Sequence, residues 1–216
     1  MGDTGGSFEN AYLYPAGDPR LLNINRINQK SIEYKTLYES LLECVRDNPN
    51  GYHGTETFDP PTPWTSDIHY RITQELKLEN WRDLRVFPAL KTAADRYHGI
   101  DLFFSYHDER TKKDVIVTVD LTVNPDKTKH KADVIVSDRG VYVPEHDIAF
   151  EFDEQDHSTD EEEKYRREVL RRETAKAIAD LIKDKLTDTR GVTTYADIAT
   201  RLNIQSLLEG QSSKIR

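Results

Sequence analysis

The sequence predicts an α/β (α+β) domain in which helices flank a central mixed β-sheet. Three observations predict it: two stretches with apolar residues at helical spacing come first, apolar strands separated by polar turns follow, and a long helical stretch comes after them. With 216 residues and 36% hydrophobic content, the chain can form one domain with a sizeable core. We assign residues 30–190 to this domain, residues 1–29 to an N-terminal arm, and residues 191–216 to a C-terminal helix and tail.

The two early helices are predicted from apolar periodicity and from their end signals. Residues 31–48 have leucines at helical spacing and are followed by NPNG, which ends a helix. A proline-rich connector, residues 57–64, precedes the second helix, for which Thr65 or Ser66 is the predicted N-cap. Two glutamates fall on the apolar stripe of that helix, which comprises Ile68, Ile72, Glu75, Leu76 and Glu79.

The strands are predicted from alternating or continuous apolar residues between turn signals. Short or edge strands are expected at residues 84–90 and 147–152, two longer strands at 101–107 and 114–123, and a hairpin that turns at DRG within 132–144. A last long helix is expected at about residues 161–186.

The charge distribution leaves a polyanionic partner open despite the net charge of −9. Residues 145–163 hold ten acidic residues and no lysine or arginine, so the rest of the chain is close to neutral. Basic residues cluster at 127–131 and 164–176, where they can contact phosphates. Low apolar content predicts a mobile acidic loop at about 153–161, which could also mimic nucleic acid towards a basic partner.

Cysteine usage and the absence of apolar runs predict an intracellular, cytoplasmic protein. The single cysteine, Cys44, excludes an internal disulfide framework and a multi-cysteine zinc site. The N-terminal residues show no secretion signal, and no apolar run approaches the length of a membrane span, so no membrane partner is expected.

Two aspartates are predicted to lie opposite each other at one end of a hairpin. If the turn is centred between Arg110 and Thr111, bulky residues such as Phe104 pair with bulky residues on one face, and Asp101 falls opposite Asp120 on the other face. Directly opposed Cβ atoms lie about 5 Å apart, so like charges there are unfavourable unless a cation binds between them. Mg²⁺ or Mn²⁺ meets that requirement, whereas a register shifted by one residue would separate the aspartates.

These residues resemble the core of the PD-(D/E)xK, or restriction-endonuclease-like, nuclease superfamily over residues 66–136. The resemblance consists of a helix with Glu75, the segment GIDLFF that contains Asp101, the strand VTVDLTV that contains Asp120, and the lysines that follow. It implies a restriction-endonuclease-like core, metal binding by Asp101, Asp120 and Glu75, and hydrolysis of nucleic acid.

The resemblance is incomplete at the family's lysine. Thr122 stands where that lysine is expected, two residues after Asp120, and threonine cannot supply a positive charge to a phosphate. Members of the superfamily relocate this lysine, so Lys127, Lys129 and Lys131 are candidates, of which Lys131 is nearest to the next strand. We therefore predict Asp101, Asp120, Lys131 and Glu75 as catalytic residues.

The predicted function is that of a Mg²⁺- or Mn²⁺-dependent nuclease that hydrolyses phosphodiester bonds of DNA or RNA. The alternative is a catalytically inactive protein with a nuclease fold that binds nucleic acid or a protein partner. Homodimerisation is compatible with both hypotheses.

Overall fold

The computed structural model describes residues 13, 32–47, 60, 62–123, 131–146, 148–152 and 159–187. This part of the chain contains four α-helices, a 3₁₀ turn at Trp81–Asp83 and a six-stranded sheet, which confirms the α+β class. The helices are α1 (Leu37–Asp47), α2 (Pro63–Glu75), α3 (Ala93–His98) and α4 (Asp160–Thr187). The strands are β1 (Leu84–Pro88), β2 (Leu102–Asp108), β3 (Lys113–Leu121), β4 (Val134–Ser137), β5 (Gly140–Val143) and β6 (Ile148–Glu151).

The order of the strands in the sheet follows their order in the chain, from β1 to β6. Neighbouring strands are antiparallel except for β3 and β4, which are parallel and pair over three positions from Val119↔Val134 to Leu121↔Val136. The predicted mixed sheet is therefore confirmed, and its parallel pairing includes Asp120, which lies opposite Ile135 of β4.

The two faces of the sheet are covered by different helices. On one face, α2 and α4 pack through Ile68, Ile72 and Ile178 onto a large apolar cluster that includes Phe104 and Val117. On the opposite face, a smaller cluster joins residues of α1 and α3 to the sheet: Leu41, Val45, Ala94, Phe87, Phe103 and Ile116. The period-two alternation of β2 and β3 assigns neighbouring residues to these two clusters.

Helix α2 begins earlier than the sequence predicts. Its N-cap is Thr62, whose side chain accepts a hydrogen bond of 3.1 Å from the amide of Thr65, and Pro63 occupies the first turn. Proline suits this position because its missing N–H would have no partner inside the helix. The prediction of Thr65 or Ser66 as the cap was wrong, because the proline belongs to the helix and not to the connector.

Helix α4 spans 28 residues and closely matches the predicted long helix. It buries one side against the sheet, including Leu170, Thr174, Ile178 and Leu181. Among the helices that the structure describes, none combines the length and apolar content that crossing a bilayer requires.

Several predicted segments lie largely or wholly outside the described residues. They are the N-terminal arm, the centre of the acidic tract (153–158) and the C-terminal helix and tail. Leu13, the only described residue of the predicted arm, is fully buried in the larger apolar cluster. The sequence prediction missed α3 and the 3₁₀ turn, which are too short to show apolar periodicity.

Gly140 of β5 has no room for a side chain, because β6 lies too close to it. A Cβ atom there would lie 1.7 Å from the carbonyl oxygen of Phe150 in β6. We expect Gly140→Ala to separate these strands and to lower the free energy of unfolding by about 3 kcal/mol or more. Urea denaturation measures this loss, and Asp138→Ala, at an exposed position of the same hairpin, is the control with an expected change of about 0.5 kcal/mol or less. Equal stability of Gly140→Ala and the wild type would contradict the prediction.

Candidate functional site

The hairpin of β2 and β3 has the predicted register. Its pairs extend from Asp108↔Lys113 beside the turn to Leu102↔Val119 at the far end. Asp101 directly precedes β2 and Asp120 lies within β3, each one residue beyond this last pair, and alternation along β3 puts Asp120 on the face of Ile116. Both aspartates are about 3% exposed. Two buried carboxyl groups therefore lie at the same end of neighbouring strands.

Contacts with the backbone of β3 hold Asp101 in place. Its amide donates a 2.9 Å hydrogen bond to the carbonyl oxygen of Val119, and its Oδ2 atom accepts one of 2.5 Å from the amide of Leu121. The Asp101 carboxylate thus lies beside the backbone that carries Asp120. Thr122 is the first residue after β3 and is 7% exposed. Its amide donates a hydrogen bond of 2.9 Å to the carbonyl oxygen of Val136.

The carboxyl pair has oxygen donors that suit a hard divalent cation. Mg²⁺ is commonly bound by one or two carboxylates together with water, and Mn²⁺ accepts the same ligands. Burying two neighbouring carboxylates costs free energy unless each charge is paired, hydrogen-bonded or bound to a cation. Within the part of the chain that the structure describes, no group of three or more His, Cys, Asp or Glu side chains has the arrangement of a metal site.

Glu75 does not join the two aspartates in the structure. It is the last residue of α2 and is exposed, and α2 packs on the opposite face of the sheet through Ile68 and Ile72. The prediction that Glu75 and Glu79 share the buried face of the helix was wrong, because the helix ends at Glu75 and both glutamates are exposed.

Lys131 lies on the segment that leads into β4, and its side chain is directed to α3. Its Nζ atom donates a 3.1 Å hydrogen bond to the carbonyl oxygen of Tyr97, four residues before Asp101. The residue is exposed. Lys127 and Lys129, the other two lysine candidates, lie outside the described residues.

A buried polar network beside the carboxyl pair was missed by the sequence prediction. Asp133 accepts hydrogen bonds of 2.8 Å from both the amide and the hydroxyl of Thr118. Lys185 of α4 donates bonds of 2.9 Å to the other Asp133 oxygen and to the carbonyl oxygen of Ile116. Strand β4 begins at Val134, opposite Val119. The side chains of Asp133 and Lys185 therefore form the hydrogen bonds to the backbone groups of β3 that β4 does not reach.

One sequence signal could have indicated this network. Lys185 lies seven residues after the buried Ile178, so it continues the apolar stripe of α4, where a lysine is unusual without a buried partner.

No family model matches the sequence, and no curated protein or solved structure is significantly similar to it. The functional interpretation therefore depends on the residues themselves, above all on the buried pair Asp101 and Asp120.

Proposed function

We propose that the protein is a Mg²⁺- or Mn²⁺-dependent phosphodiesterase that hydrolyses nucleic acid. The observation that carries the proposal is the burial of Asp101 and Asp120 at the same end of β2 and β3. Carboxylate oxygens are ligands that Mg²⁺ and Mn²⁺ prefer, so two of them at one end of a sheet suit a divalent cation.

In this proposal, Asp101 and Asp120 hold the cation. When bound, the ion lowers the pKa of a coordinated water and stabilises negative charge on a phosphate. The amide of Leu121 orients the Asp101 carboxylate, and Lys131 lies on the segment that enters β4, with its Nζ atom bonded to the carbonyl oxygen of Tyr97. Because each aspartate is about 3% exposed, a phosphodiester reaches them only after the residues that cover them move.

The second candidate function is binding by a catalytically inactive protein with a nuclease-like fold. Two observations favour it: Thr122 occupies the position of the expected lysine, and one Asp101 oxygen is already bonded to the Leu121 amide at 2.5 Å. A carboxylate used in this way fixes the end of a hairpin without any catalytic role. The partner would then be nucleic acid or another protein.

A titration with Mn²⁺ and a cleavage assay separate the two candidate functions. For the phosphodiesterase we expect saturable binding heat and cleavage of DNA or RNA, single- or double-stranded, that a chelator stops. Lys131→Ala should lower the cleavage rate by roughly tenfold or more while Mn²⁺ affinity is unchanged, because an ammonium group acts on the phosphate in the transition state.

A companion variant places a lysine at position 122, where the superfamily's lysine is expected. Thr122→Lys in the Lys131→Ala background should recover part of the cleavage rate, because residue 122 lies two residues after Asp120. Absence of both Mn²⁺ binding and cleavage in the wild type would reject the phosphodiesterase and favour the binding protein. Unchanged cleavage by Lys131→Ala alone would remove Lys131 from the proposed site.

A further inference from the structure

A pocket of about 380 Å³ lies on the outer side of α2 and the turn that follows it. Its size is within the range of small-molecule sites. The pocket is separate from the carboxyl pair, because α2 packs on the other face of the sheet. Its lining combines aromatic rings with hydroxyl and amide groups: Pro60, Ser66, His69, Tyr70, Thr73, Gln74, Leu78 and Trp81.

Two large aromatic side chains border this pocket and remain exposed. Tyr70 is 61% exposed and Trp81 is 44% exposed, although both are residue types that normally bury most of their surface. Exposed aromatic rings beside a concavity commonly mark a place where another ring or an apolar group binds.

The wall that carries Trp81 is fixed by contacts with the rest of the domain. Trp81 and His69 meet edge to face, with their ring centroids 6.3 Å apart. His69 is 4% exposed, and its Nε2 atom is hydrogen-bonded to the carbonyl oxygen of Leu84 in β1 at 2.9 Å. The side chain of Asn80 caps the 3₁₀ turn by accepting a hydrogen bond of 3.3 Å from the amide of Arg82. A preorganised ring loses little conformational entropy when a ligand stacks on it.

Polar and charged groups around the pocket favour a planar ligand that carries phosphate. Ser66 and Gln74 supply a hydroxyl and an amide at its border, groups that hydrogen-bond to the edges of bases. The guanidinium carbon of Arg82 lies 5.6 Å from the centroid of the Trp81 ring. Residues 70–85 contain four basic and three acidic residues, so this region lacks the excess negative charge of the whole chain, which is −9.

We propose that this pocket binds an unstacked nucleobase, with Trp81 and Tyr70 as the stacking rings. Base stacking on aromatic side chains is a main source of affinity for single-stranded nucleic acid, and the basic residue next to Trp81 suits the adjoining phosphate. The base comes either from a single strand or from a free nucleotide. The site does not depend on metal binding by Asp101 and Asp120.

Fluorescence of Trp81 tests the proposal directly, because the chain contains only two tryptophans. In a Trp64→Phe variant Trp81 is the single reporter, and its emission should be quenched by an oligothymidine of about 12 nucleotides, a length typical of strand-binding sites. A duplex of equal length should quench much less, because its bases are already stacked. Tighter binding of the strand than of thymidine monophosphate identifies a strand as the ligand, and equal binding identifies a nucleotide.

A second test uses variants that keep Trp64, so it does not depend on the Trp64→Phe substitution. By fluorescence anisotropy of a labelled strand, Trp81→Ala should weaken binding about tenfold, whereas Trp81→Phe retains a ring and should keep most of the affinity. Tyr165→Ala is the control, since Tyr165 is 68% exposed but does not line the pocket. Equal affinity of Trp81→Ala and wild type, equal quenching by duplex and strand, or binding of neither the strand nor thymidine monophosphate would each overturn the proposal.

Discussion

Asp120→Asn and Asp101→Asn are each expected to lower metal-dependent cleavage by roughly a thousandfold. A metal ion contributes several kcal/mol to the stabilisation of charge in the transition state, and a factor of ten in rate corresponds to about 1.4 kcal/mol. Each substitution removes one of the two carboxylates that are proposed to hold the ion. The amide oxygen of asparagine at position 101 can still accept the hydrogen bond that the Leu121 amide donates at 2.5 Å.

The same substitutions should not unfold the domain. Removing one of two neighbouring buried negative charges relieves repulsion, so stability measured without metal should stay unchanged or rise. Cleavage rates, Mn²⁺ titration and urea denaturation of the same preparations separate the loss of activity from any loss of fold. Asp138→Asn, an exposed aspartate in the turn between β4 and β5, is the matched control and should leave all three unchanged. Full metal-dependent cleavage by either variant would show that these aspartates are not the catalytic site.

Lys185→Met is expected to lower the free energy of unfolding by about 3–5 kcal/mol. The side chains of Lys185 and Asp133 are only 8% and 10% exposed. Without the lysine, the Asp133 carboxylate remains buried without its cation, and the carbonyl oxygen of Ile116 loses the bond of 2.9 Å. A buried charge that loses its partner costs far more than an exposed one.

Two further variants test whether the pair, and not the lysine alone, causes the loss. Lys183→Met is the control on the same helix, because Lys183 is exposed and pairs with Asp180, which is also exposed. Its expected effect is about 0.5 kcal/mol or less. Adding Asp133→Asn to Lys185→Met should cost less than the sum of the single changes, because the unpaired charge is removed. A loss below about 1 kcal/mol for Lys185→Met would show that the pair contributes little to stability.

The hairpin of β2 and β3 could be predicted because its signals are local. Alternation of bulky residues and a polar turn determine the register, so Leu102↔Val119 followed from the sequence alone. The position of Glu75 could not be predicted in this way, because it depends on where α2 ends. Lys77, with a φ of 52°, follows that end and takes the chain away from the helical path.

The network of Asp133, Thr118 and Lys185 was not predictable by the same means. Asp133 and Lys185 are 52 residues apart, so only the packing of α4 against the sheet brings them together. Strand periodicity indicates which residues of β3 share a face, but it does not show how far β4 extends along β3. That length determines which backbone groups need side-chain partners.

The agreement between strand order and chain order also bears on how the domain assembles during synthesis. Each strand from β1 to β6 can pair with the preceding strand as it leaves the ribosome, without waiting for a distant segment. Helix α4 is made after all six strands, so the apolar face that it covers stays partly open until residues 160–187 have emerged. Nascent chains that stall before this point expose a broad apolar sheet, which is the kind of surface that chaperones bind and that aggregates when left uncovered.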